Sequence, residues 1–93
     1  MAEWQTWLSN PELTPLEVQL IHFMAQQGDR VVSRTELLER VWRNKPTATD
    51  RVVDVAMSKL RRKLNPQKVR LITIYGAGYM CVKPEAVKDQ FTN

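Results

Sequence analysis

The chain has 93 residues, and its 14 Lys and Arg against 10 Asp and Glu leave a net charge of +4. That length holds one domain, and the lone Cys81 excludes an internal disulfide, so the fold must rest on packing and suits a reducing cytosol. With 43% hydrophobic and 26% charged residues the composition is that of a folded protein, no apolar run is long enough to cross a bilayer, and Met1-Ala2-Glu3-Trp4 lacks a signal-peptide layout; a cytoplasmic protein is expected.

Residues 1–12 form a first segment in which Trp4, Trp7 and Leu8 fall at helical spacing. They are expected to pack on the domain as an apolar cover. The domain proper is placed at residues 13–83, followed by a polar tail, 84–93. Its first helix starts with a capping residue, Thr14, with Pro15 at the first helical position and Glu17 completing a capping box. Leu13 and Val18 are spaced as a hydrophobic staple. Leu16, Leu20, Phe23 and Met24 supply its apolar face until Gly28. The second helix repeats the device, with Ser33 and Glu36 as box, Val32 and Leu37 as staple, and Leu37, Leu38, Val41 and Trp42 as apolar positions.

A polar stretch containing Pro46 leads to a third helix starting at Thr49 or Asp50 and reaching Leu64, with Asn65-Pro66 as its stop. Met57, Leu60 and Leu64 lie within about 40° of Val53 on a wheel turning roughly 100° per residue. Arg51, Val55, Ser58 and Arg62 fall on the far side, flanked by Lys59 and Asp54, with Arg61 nearer the edge. Beyond it, Val69 to Tyr75 is rich in β-branched residues, Gly76-Ala77-Gly78 makes a turn, and Tyr79 to Val82 returns as a second strand.

Charge is concentrated in this part of the chain. Between Asp50 and Arg70 stand Arg51, Lys59, Arg61, Arg62, Lys63, Lys68 and Arg70 against Asp50 and Asp54, a net +5 that leaves the remainder near −1. A focused patch of this kind is the footprint of a polyanion binder. Three helices and a C-terminal β-hairpin, with the charge on the third helix, describe an α+β winged helix-turn-helix. Such a domain is expected to place the helix 50–64 in the major groove of double-stranded DNA and the wing 69–82 on the backbone or minor groove. Val55, Ser58, Lys59 and Arg62 are the candidates for base contact, Val55 being either a partner for a thymine methyl or an ordinary exposed valine. Arg51, Arg61, Lys63 and Arg70 are candidates for phosphates. Arg34, at the start of the second helix, is a further phosphate candidate or a plain surface charge.

From Leu13 to Cys81, about three-quarters of the chain, the sequence resembles the DNA-binding effector domain of the OmpR/PhoB family of bacterial response regulators. The resemblance is carried by Leu13-Thr14-Pro15-Leu16-Glu17, by Val31 to Trp42, by Arg51-Val52-Val53-Asp54-Val55, by Ser58 to Leu64 and by Ile74-Tyr75-Gly76-Ala77-Gly78-Tyr79. It implies promoter binding as head-to-tail copies on direct repeats, and contact between the loop 43–49 and RNA polymerase. Two departures stand out. The small sheet that precedes the first helix in the family is here truncated or replaced by the tryptophan-bearing segment. The wing, formed by Tyr75, Gly76 and Gly78, has Tyr75 where the family commonly carries an arginine before its first glycine. No receiver domain is present, so the chain reads as an excised domain, a stand-alone regulator or the cytoplasmic part of a longer one.

Other chemistries find little support. His22 falls off the apolar face of its helix, Cys81 sits in a strand as a small buried hydrophobe, and no Cys/His spacing suits zinc. Gly76-Ala77-Gly78 is followed by a strand, unlike a phosphate loop. No enzyme activity, cofactor or metal is expected. The alternative to DNA binding is a winged helix acting as a protein-interaction module on another regulator or on RNA polymerase.

Overall fold

A computed structural model of the chain describes residues 12–64 and 69–82. The expectations for residues 1–11, for the Asn65-Pro66 stop and Lys68, and for the tail lie outside these. Helix α1 spans Pro15–Gln26, α2 Arg34–Arg40 and α3 Asp50–Lys63; strands β1 (Arg70–Ile74) and β2 (Gly78–Val82) follow. The strands pair antiparallel, with Arg70 opposite Val82 and Ile74 opposite Gly78. Val32, just before α2, adds an isolated antiparallel bridge to Tyr79, through Val32 N–H to Tyr79 C=O at 2.7 Å and the reverse bond at 2.8 Å. The hairpin is thereby fastened to the helical layer by main-chain bonds. This is a winged helix-turn-helix.

Each helix begins where the sequence places its cap. The Thr14 hydroxyl accepts from the Glu17 amide and the Glu17 carboxylate accepts from the Thr14 amide, a complete capping box. Thr49 caps α3 by accepting from the Val52 amide. At α2 only half of the predicted box forms. Ser33 accepts from the Glu36 amide, but the Glu36 carboxylate turns instead to Arg30, 2.7 Å away. The guanidinium offers a charge-assisted pair that an amide does not match.

The core is continuous through all five elements. Leu20, Ile21 and Met24 from α1, Leu37 from α2, and Val53, Met57 and Leu60 from α3 are fully buried, closed by Val32, Val69, Leu71, Tyr79 and Cys81. The stripe predicted for α3 is the buried one. On α1 the face is shifted: Ile21 is fully buried, while Leu16 and Phe23 pack only partly against the cluster. This helix packs on both α3 and β2, so more of its circumference is covered than one stripe supplies. The end of α3 falls one residue earlier than expected, with Leu64 as its buried C-cap.

Candidate nucleic-acid interface

With Val53, Met57 and Leu60 fixing one side of α3 against the core, rotation along the helix sets every other side chain. Arg51, Val55, Ser58 and Arg62 are all exposed on the side opposite the stripe. Val55 is 42% exposed among them, an apolar group in an otherwise polar row. Of the proposed base-contact residues, Val55 and Lys59 also line a groove toward α1, together with Arg51, while Ser58 and Arg62 do not.

Three long-range ties hold α3 at its rotation. Asp54 Oδ1 accepts from Arg34 Nε of α2 at 2.8 Å and also from the Tyr79 hydroxyl of β2. These two donors hold the Asp54 carboxyl below its usual range, Arg34 contributing most. Tyr79 is pushed above the ordinary phenol value, first by burial and then by its bond to the carboxylate. On the hairpin side, Arg61 Nη2 donates to Thr73 Oγ1 at 2.9 Å. On the α1 side, Lys63 Nζ lies 2.8 Å from Glu17 Oε1, whose side chain is only 6% exposed. Burial alone would raise the Glu17 carboxyl, but hydrogen bonds from Lys63 and Thr14 outweigh it, so the group titrates below its ordinary range.

These ties sort the predicted phosphate residues. Arg51 and Arg62 are exposed on α3, Arg51 at the edge of the groove toward α1, and Arg70 opens β1 as an exposed residue. Arg34 and Arg61 each commit one N–H to the fold, and a guanidinium has further donors to offer. Lys63 is the exception, because its ammonium is engaged on the core side with Glu17 rather than gathered with the other cations. No local signal announces that pair. Asp54 likewise escaped the sequence reading as more than a flanking charge, although it joins α2, α3 and β2.

The wing turn places Tyr75 at its tip, 93% exposed. Gly76 follows in the left-handed region at φ 81°, and the Ala77 amide closes the turn on Ile74 C=O at 2.9 Å. The loop 43–49 is exposed apart from half-buried Ala48. It opens with Arg43 and Asn44, both in the left-handed conformation, three residues past the end of α2. His22 is exposed and shares a hydrogen bond with Gln26, and Cys81 is buried. Among the described residues no acidic, His or Cys cluster could hold a metal, and no helix is long and apolar enough to cross a membrane.

Residues 9–81 match the family described as "Transcriptional regulatory protein, C terminal". The chain is 41% identical over 68 residues to the uncharacterized transcriptional regulatory protein YclJ of Bacillus subtilis, covering 72% of this chain and 30% of that protein. It is 40% identical over 70 residues to the phosphate regulon transcriptional regulatory protein PhoB of Escherichia coli, covering 73% and 31%. The chain thus spans less than a third of the length of these curated relatives. Among solved structures, the DNA-binding domain of Bacillus subtilis CssR superposes with a TM-score of 0.66 at 37% identity, covering 75% of this chain and 77% of the other. The DNA-binding domain of the response regulator AdeR, in complex with an intercistronic region, gives 0.65 at 37% identity, covering 77% and 74%.

Proposed function

Because this chain belongs to the transcriptional regulatory protein C-terminal family, a family of OmpR/PhoB-type DNA-binding domains and not of enzymes, we propose that it binds double-stranded DNA sequence-specifically, with α3 in the major groove. The observation that carries this reading is the outward face of α3, where Arg51, Val55, Ser58 and Arg62 stand exposed directly opposite a fully buried stripe. A helix fits the major groove, arginine can grip a guanine edge with two bonds, and a valine can meet a thymine methyl. Arg62, Ser58 and Val55 read bases, with Lys59 reaching from the groove side. Arg51, Arg34, Arg61 and Arg70 clamp phosphates on either side, and Tyr75 brings the wing tip against the adjacent backbone or minor groove.

The test is selection from a random-sequence duplex library at two salt concentrations. Enrichment of a short motif is expected, and a direct repeat would fit two copies arranged head to tail. Binding that stays weak, salt-sensitive and without enrichment would overturn sequence-specific recognition. The exposed loop 43–49, with Arg43 and Asn44 both held in left-handed geometry, favours a second contact, made by protein. Its partner is RNA polymerase, and Arg43→Ala should lower transcription from a bound promoter while DNA affinity stays unchanged.

A further inference from the structure

A groove of about 570 Å³ lies at the other end of α2 from Arg34, between the outer side of α1 and the turn that follows α2. None of the residues around it belongs to α3 or to the hairpin. Arg40, the last residue of α2, stands about 9 Å along the helix axis from Arg34, so the groove is set apart from the side chains given to DNA. Its floor is apolar: Phe23 is half-buried there, and Val41 and Trp42 are buried along it. Arg40, Arg43 and Lys45 are exposed around it, and among the described residues no acidic one lines it. None of these three cations is in an ion pair with a described residue. The turn that carries two of them is held by main-chain bonds, from the Asn44 amide to Leu38 C=O at 2.8 Å and from the Lys45 amide to Trp42 C=O at 3.3 Å.

We propose that this groove receives an acidic segment of RNA polymerase that carries a large apolar side chain. The inference rests on the reading that the loop 43–49 meets RNA polymerase, and it adds the chemistry of the segment and the part that α1 plays in holding it. Three like charges around one groove repel one another and favour a partner of opposite sign. A phosphodiester backbone would satisfy the cations but leave Phe23 in water. A second copy of this chain, itself at +4, brings the wrong sign. An acidic peptide answers both features. Its carboxylates meet Arg40, Arg43 and Lys45, the two arginines offering paired bonds, and its apolar side chain covers Phe23. Opposite charge steers the encounter, and the apolar anchor sets how long it lasts. The groove shares no residue with the outward face of α3, so one molecule holds DNA and polymerase together.

Capture of purified bacterial RNA polymerase holoenzyme by the immobilised full chain, without DNA, tests this. Arg40→Glu should weaken capture at least about tenfold, and Gln19→Glu, which adds an acid to the exposed α1 side of the groove, at least about threefold. Gln19→Lys should strengthen it, a gain that a merely structural position does not give. Phe23→Gln leaves the charge unchanged and should weaken capture about fivefold with helical circular dichroism retained; should it fail to fold, the two Gln19 variants decide. All four should bind duplex DNA within about twofold of the parent, because the groove is remote from the DNA face. No capture by the parent would overturn both this proposal and the polymerase reading beneath it. Capture lost in Arg43→Ala but unchanged in Arg40→Glu and both Gln19 variants would keep the loop contact and overturn the groove. A folded Phe23→Gln equal to the parent would remove the apolar anchor and with it the proposal. So would a duplex-binding salt slope lower by about one in Arg40→Glu, which would assign the groove's cations to phosphates.

Discussion

Gly78 sits where the hairpin meets the helical layer. A Cβ at this position would stand 2.1 Å from Val32 O and 2.8 Å from Ser33 Cα, both main-chain atoms with nowhere to move, and the residue has φ 144°. Gly76, two residues away at φ 81°, has nothing within 4 Å of the same atom. The two glycines therefore separate steric from conformational cost. Gly78→Ala should lose about 3 kcal/mol or more, overpacking and backbone strain each contributing on the order of 1–3, whereas Gly76→Ala should lose only about 1–2. Urea melts of the two variants decide this, and equal losses would mean that the Val32–Tyr79 bridge yields. Asp54 makes the complementary case for a polar side chain. Asp54→Ala leaves the hydroxyl of buried Tyr79 without its acceptor and should cost about 1–2 kcal/mol. Arg34→Ala breaks only the exposed half of the network and should cost less than Asp54→Ala in the same melts.

At the scale of elements, what was legible in the sequence is what is local. Thr14 and Ser33 announce their helices because a cap acts over three residues, and the α3 stripe shows because its period is that of the helix. The ties that orient α3 join residues 46, 25, 20 and 12 positions apart and leave no periodic trace. Lys63 illustrates the consequence: in sequence it is one more cation in a basic last turn, and only the packing of α1 against α3 brings Glu17 to it. Glu17 serves two elements at once, capping α1 and anchoring α3, and its depressed titration makes that double role measurable. A carboxyl whose folded value lies below its unfolded one adds stability at pH above the unfolded value, and this is lost as pH falls through about 4.5 and below. Glu17→Gln should therefore be less stable than the parent near neutrality, by roughly 1–3 kcal/mol since Lys63 keeps some solvent, and the gap should narrow steadily toward pH 3. Glu36 and Asp54 are also held low and will make both proteins acid-sensitive, so the difference between the two curves is the quantity to read. A gap that stays constant with pH would remove the Glu17–Lys63 pair from the stability of the fold.

For the whole molecule, the decisive property is how its positive charge is divided between folding and binding. Sequence alone assigns the whole basic patch to a polyanion, but the fold withdraws Lys63 and leaves Arg34, Arg51, Arg61, Arg62 and Arg70 with donors to offer. If four of these arginines meet phosphates, affinity for duplex DNA should fall with salt at a log–log slope of about −3 to −4. Arg70→Ala should lower that slope by about one while weakening binding equally on preferred and random duplexes, the mark of a phosphate contact. Arg62→Ala should cost about 1–3 kcal/mol on the preferred site, little on random DNA, and leave the slope nearly unchanged, the mark of a base contact. Lys63→Ala provides the internal control, since a residue engaged by Glu17 should change the melting temperature and not the slope. A slope that drops for Lys63→Ala as it does for Arg70→Ala would mean that the pair opens on DNA, freeing Lys63 for a phosphate at the expense of the link between α1 and α3.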